Sequence, residues 1–157
     1  MKRLWAPWRI GYVQKKNKSC IFCRAAKSRL DKKYYVVHRS KFCFSVLNVF
    51  PYNNGHIMIA PNRHRGDIAD LTSDELLDLI KVLKISQRQL NKVLRPQAYN
   101  IGINIGKEAG AGFAGHLHIH IVPRWKGDVN FMPVVFGSKV ISQSLKQLHE
   151  KLTKKRR

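Results

Sequence analysis

The sequence predicts an α+β fold: a mostly antiparallel five-stranded sheet with one long helix and a C-terminal helix. Three observations carry that prediction. Apolar, β-branched and aromatic runs recur at hairpin spacing in the first half of the chain. A long stretch from Thr72 to Pro96 then keeps helical periodicity. Two more strand-like runs follow, so the sheet resumes beyond the helix. No repeat or linker divides the 157 residues, which read as one domain. Its core spans about 34–135. A basic segment with a cysteine pair precedes it over 1–33, and a C-terminal helix with a basic tail closes the chain over 138–157.

Tyr34–Val37 and Phe42–Leu47 are rich in aromatic and β-branched residues and predict the first two strands. Pro51-Tyr-Asn-Asn-Gly55 is dense in turn formers and leads to a third strand, His56–Ala60. Thr72-Ser-Asp-Glu75 fits a capping box. Leu76, Leu79, Ile80 and Leu83, then Leu90, Val93 and Leu94, keep helical spacing until Pro96 stops it. Tyr99–Asn104 predicts a fourth strand. Gly106–Gly115 is a loop with four glycines in ten positions. The fifth strand, His116–Val122, ends at Pro123. A last helix is expected over Ser138–Thr153, with Leu145, Leu148 and Leu152 on one stripe.

Composition narrows the class. Hydrophobic residues at 44% exclude wholesale disorder. No run approaches the about 20 apolar residues of a membrane helix, and the N-terminus lacks the apolar core of a signal peptide. Three cysteines make no disulfide framework and suit a reducing cytoplasm. With 30 Lys and Arg against 9 Asp and Glu, the net charge is +21, which attracts polyanions. Part of it lies in Lys15–Lys18, Arg24–Lys33 and Lys154–Arg157, which read as solvated ends or as non-specific nucleic-acid contacts. No helix-turn-helix, zinc-finger helix or aromatic RNA-binding signature accompanies them.

His116-Leu-His-Ile-His120 is the sharpest feature. Strand side chains alternate, so His116, His118 and His120 share one face and Leu117, Ile119 and Ile121 the other. Three imidazoles in a row are poor core material, since each brings two nitrogens that need partners. Metal ligation and nucleophilic attack on phosphorus both fit them. The glycine-rich loop upstream tips the balance toward phosphorus, because backbone N–H groups in such loops cradle phosphate oxygens. Cys20-Ile-Phe-Cys23 has the spacing of half a zinc site, and His64 and His116 are candidates for the other half. Two buried thiols are the plain alternative. Cys43, in an alternating strand, reads as core.

Gly115-His-Leu-His-Ile-His-Ile-Val-Pro123 resembles the signature of the histidine triad (HIT) superfamily. Gly55-His-Ile-Met-Ile-Ala-Pro and His64 resemble a second family stretch. Leu4-Trp-Ala-Pro-Trp-Arg9, the cysteine pair and Pro123–Pro133 are similar to a bacterial branch described as diadenosine tetraphosphate phosphorylases or hydrolases.

The resemblance implies roles. His118 is the nucleophile toward the α-phosphorus of a dinucleoside polyphosphate, His120 a phosphate contact and proton donor, and His56 a support of the cluster. Asn48 falls where relatives hold ribose hydroxyls, and Asn104 where a polar residue reaches phosphate. Many relatives carry a Ser or Thr before the triad. Here Gly112-Phe-Ala-Gly115 has no hydroxyl, which leaves phosphate contact to backbone amides such as that of Gly112 or to a different arrangement. The resemblance also implies a structural zinc on Cys20, Cys23, His64 and His116, no catalytic metal, and a homodimer. Trp125 is placed to stack on a base or on a partner subunit, and Trp5 and Trp8 to dock on the domain or a second chain. The expected activity is diadenosine tetraphosphate phosphorylase through a nucleotidyl-His118 intermediate. Hydrolysis or phosphoramidase activity are the sibling alternatives, and a basic nucleotide- or nucleic-acid-binding module or a metal-dependent hydrolase those of another class.

Overall fold

The computed structural model of the protein describes residues 19–128, 141 and 143–154. Alternation along the strands sorts side chains onto two faces of one sheet. On one face Cys43, Leu47, Ile57, Ile59, Ile119 and Ile121 form the main core. On the other Phe44, Val46, Met58 and Ala60 form a smaller cluster with Phe22 and Ala25.

The strands are β1 (Val36–Arg39), β2 (Cys43–Leu47), β3 (Ile57–Pro61), β4 (Ala98–Ile103) and β5 (Ile119–Arg124). Their order is β1-β2-β3-β5-β4, with every neighbouring pair antiparallel. The helices are α1 (Ile21–Lys27), α2 (Asp31–Tyr34), α3 (Ser73–Leu94) and α4 (Leu145–Thr153). Helix α3 lays Leu79, Val82 and Leu90 onto the main core, and α4 adds Leu148 and Leu152. Helix α1 lies on the opposite face through Phe22 and Ala25. Among the described residues no helix is long and apolar enough to cross a membrane.

The five strands and the long helix stand where the pattern placed them. The capping box forms in full: the Thr72 hydroxyl accepts from the Glu75 N–H at 3.3 Å, and the Glu75 carboxylate accepts from the Thr72 N–H at 2.9 Å. Three elements differ by two residues or more at an end. β1 starts at Val36 rather than Tyr34, because α2 takes up Asp31–Tyr34 and Tyr35 turns the chain with φ 54°. β5 begins at Ile119 and runs through Pro123, past the expected stop. Among the described residues only β4 flanks it beyond Ile121, so the missing Pro123 N–H breaks no ladder with β3. The last helix starts at Leu145, where the Ser144 hydroxyl caps it by accepting from the Gln147 N–H. Residues 138–140, Lys15–Lys18, Trp5, Trp8, residues 129–133 and the last three basic residues lie outside the described residues.

Helix α1 is absent from the sequence-based reading, which saw only cysteines and a basic run there. Gly55 shows how tightly the β2–β3 turn is seated. Its φ is +79°, and an added Cβ would meet Leu94 Cδ1 at 2.5 Å.

Candidate active site

The face opposite α3 carries a cavity of about 230 Å³. Helix α1 supplies Ile21, Phe22, Arg24 and Ala25 to its lining. The corner between α2 and β1 adds Lys33, Tyr34 and Tyr35. β2 and the loop after it contribute Val46 to Phe50 and Tyr52. Gly110, Gly112 and Phe113 come from the glycine-rich loop, and His118 and His120 complete the lining with Met58.

Hydrogen bonds to fixed partners decide which nitrogen of each imidazole carries the proton. His118 Nδ1 lies 2.9 Å from the His116 carbonyl oxygen, which only accepts, so Nδ1–H donates. Its Nε2 is therefore left with a lone pair. The Tyr52 backbone N–H donates to His56 Nδ1 at 3.1 Å, and the Asn48 amide nitrogen reaches the same atom at 3.2 Å. His56 Nε2 must then hold the proton, and it donates to His120 Nδ1 at 2.8 Å. That leaves His120 with its proton on Nε2. The result is one imidazole with a free lone pair beside another with a free N–H, their rings 4.8 Å apart.

Burial keeps this cluster neutral. It is the main cause lowering the pKa of His118, only partly offset by the bond to the His116 carbonyl. Burial and the neighbouring His118 hold His120 down to about 4. Burial, then His120 and His118, bring His56 to about 3.

Beside the cavity lies a second group. The Cys20 and Cys23 sulfurs and one nitrogen each of His64 and His116 stand within 4.8 Å of one another. Cys20 Sγ to His116 Nδ1 is 3.4 Å, Cys23 Sγ to His64 Nδ1 3.3 Å, Cys23 Sγ to His116 Nδ1 3.6 Å, and the two Nδ1 atoms are 3.2 Å apart. Tetrahedral zinc, with bonds of about 2.0–2.3 Å, spaces its ligands by roughly 3.3–3.8 Å. His116 Nε2–H donates to the Pro61 carbonyl at 2.9 Å, which turns the lone pair of Nδ1 toward the cysteines. The four residues thus fit a closed metal site, and His118 and His120 stand outside it.

The sequence-predicted residues therefore fall into two adjoining groups. His118, His120, Asn48 and Gly112 line the cavity, with His56 behind His120. Asn104 is half-buried just past β4 and outside that lining. Trp125 is also outside the lining, its backbone N–H donating to Asp128 in the turn after β5. Cys43 is fully buried in the main core, where burial and the nearby Asp78 and Glu75 raise its thiol to about 12. Sequence reasoning missed Phe22, Arg24, Lys33 and Tyr52. The available signals were an aromatic residue between paired cysteines and an aromatic residue four positions before His56.

The HIT domain family model matches residues 29–127. The chain belongs to the HIT domain family. Among its relatives, AP-4-A phosphorylase of Mycobacterium tuberculosis is 38% identical over 155 residues, covering 93% of this chain and 80% of the relative. The asymmetrical bis(5'-nucleosyl)-tetraphosphatase of Schizosaccharomyces pombe is 36% identical, covering 65% of this chain and 56% of the relative. Among solved structures, a histidine triad nucleotide-binding protein of Sulfolobus tokodaii superposes with a TM-score of 0.69 at 25% identity, covering 85% of this HIT chain and 89% of the other. A zinc-bound histidine triad family protein of Mycobacterium smegmatis shares the fold with a TM-score of 0.70 at 23% identity, covering 87% and 91%. By this kinship the HIT chain is an enzyme of the histidine triad type.

Proposed function

We propose that this HIT enzyme cleaves diadenosine polyphosphates, the tetraphosphate foremost, through a nucleotide bonded transiently to His118, and that inorganic phosphate then removes it. One observation carries the reading: the Nδ1–H of His118 is spent on the His116 carbonyl, so its Nε2 lone pair is left at a cavity large enough for a ligand. The M. tuberculosis relative's name supports the substrate and the acceptor.

Nε2 of His118 attacks the α-phosphorus, and the bond from that phosphorus to the bridging oxygen breaks. The positive charge that develops on the imidazole is met by the His116 carbonyl. His120 Nε2–H donates to the departing oxygen, and ATP leaves when the substrate is the tetraphosphate. A phosphate oxygen then attacks the same phosphorus, the nitrogen–phosphorus bond breaks, and ADP is released. Asn48 holds the ribose, and the amides of the glycine-rich loop, including that of Gly112, hold phosphate oxygens in place of the hydroxyl common in relatives. Asn104 contacts phosphate once substrate is bound.

Zinc on Cys20, Cys23, His64 and His116 belongs to the same proposal. It supplies a structural clamp between α1, the residues after β3 and the triad. So does a homodimer: β4 ends the sheet among the described residues, and Ile101 and Ile105 are exposed on or beside it.

The test traps the intermediate. Brief reaction with phosphorus-labelled substrate places the label on His118, and His118→Ala abolishes turnover while still binding nucleotide. With phosphate the products are ATP and ADP. ATP and AMP in the presence of phosphate would identify a hydrolase. A label on another residue, or substantial turnover by His118→Ala, would overturn the assignment.

A further inference from the structure

Phe22 sits between the two cysteines and is 1% exposed. Its ring lies 4.8 Å from that of His118, tilted 31°, and 5.1 Å from that of His116. It also meets Phe113 of the glycine-rich loop edge-on at 6.0 Å. One side chain thus touches a candidate metal ligand, the candidate nucleophile and the loop beside it. The helix that carries it gives four residues to the cavity wall, Ile21, Phe22, Arg24 and Ala25. Seven residues cannot hold a helix by themselves. Three things fix α1 in place: the packing of Phe22 and Ala25, the Arg39 guanidinium, which donates to the Ala25 and Ala26 carbonyls at 2.8 and 3.2 Å at its C-terminal end, and, at its N-terminal end, whatever ties Cys20 and Cys23 to His64 and His116.

We infer that this metal centre is coupled to the nucleotide pocket, with Phe22 as the positioning residue that carries the coupling. Metal drawn onto the two cysteines seats α1, α1 presses Phe22 onto the His118 imidazole, and the same movement closes the pocket wall. The inference rests on reading the cavity as the nucleotide site. Coupling of this kind is reciprocal: metal raises nucleotide affinity by the same factor by which nucleotide raises metal affinity.

The experiment measures AMP affinity by calorimetry on the full chain, zinc-loaded and chelator-stripped, with folding of both followed by circular dichroism. It also measures zinc affinity against a competing chelator, with and without AMP. The expected factor is about 5- to 150-fold and equal in the two directions. A second arm uses the zinc-loaded Phe22→Ala variant, which avoids dependence on a folded metal-free chain. That variant keeps one zinc per chain, binds AMP at least about fivefold more weakly than the zinc-loaded native chain, and lowers kcat. Phe22→Leu restores part of each. Equal AMP affinity in the folded loaded and stripped chains would overturn the inference, as would native AMP affinity in zinc-loaded Phe22→Ala. Failure of the zinc-loaded native chain to bind AMP at all would instead refute the nucleotide reading, and the coupling with it.

Discussion

Acid should unfold this protein earlier than its charge alone requires, and the histidine cluster sets how much. The folded state holds His56 at about 3 and His120 at about 4, against 6.5 for the free side chain. Both values are depressed, so the unfolded chain binds more protons below pH 6.5. The stabilisation is whole above that pH and is lost as pH falls toward 4 and then 3. Lowering the pH to 5 crosses about 1.5 units of that window. At about 1.4 kcal/mol per unit, each of the two histidines forfeits about 2 kcal/mol, or about 4 kcal/mol together. Urea unfolding at pH 7 and pH 5, extrapolated linearly to water, measures the difference. His120→Asn isolates the cluster, because Oδ1 of the asparagine accepts the His56 proton in place of the imidazole Nδ1. The loss on acidification should shrink by at least about 2 kcal/mol in that variant, since it also removes the neighbour that helps depress His56. The same pH-dependent loss in the native chain and in His120→Asn would show that the cluster does not govern acid stability.

Gly55→Ala should cost about 2–5 kcal/mol, since it adds a left-handed non-glycine residue and a methyl against Leu94 and Leu90; thermal denaturation reads it. Asn48→Ala should lower kcat/KM about tenfold or more, because the amide loses its proposed ribose contact and its bond to His56, while Phe50 N–H loses its acceptor at 2.9 Å. Equal kcat/KM would take Asn48 out of the site.

Helix α3 was legible because capping and periodicity are local: Thr72 and Glu75 are neighbours, and Leu79 and Leu90 of the expected stripe are buried, whereas Ile80 is exposed and Val82, outside that stripe, is buried. The histidine face was legible for a similar reason, since period-two alternation holds through Leu117, Ile119 and Ile121 even where the ladder stops short of His118. Helix α1 was not, because seven residues with one cysteine, another at the N-cap and a basic end carry no periodic signal, and packing against Phe44 and Met58 stabilises it. Arg24 and Lys33 read as solvated charge and turned out to line the cavity.

What the residues alone determined is which side chains exist to do chemistry and which face of the strand they share. Only the folded structure decided which nitrogen His116, His56 and His120 offer. That choice depends on a carbonyl at Pro61 for His116, a backbone N–H at Tyr52 for His56, and His56 itself for His120. Two of these three contacts join residues more than fifty positions apart, and no spacing rule along a chain encodes a partner that arrives only when the sheet closes.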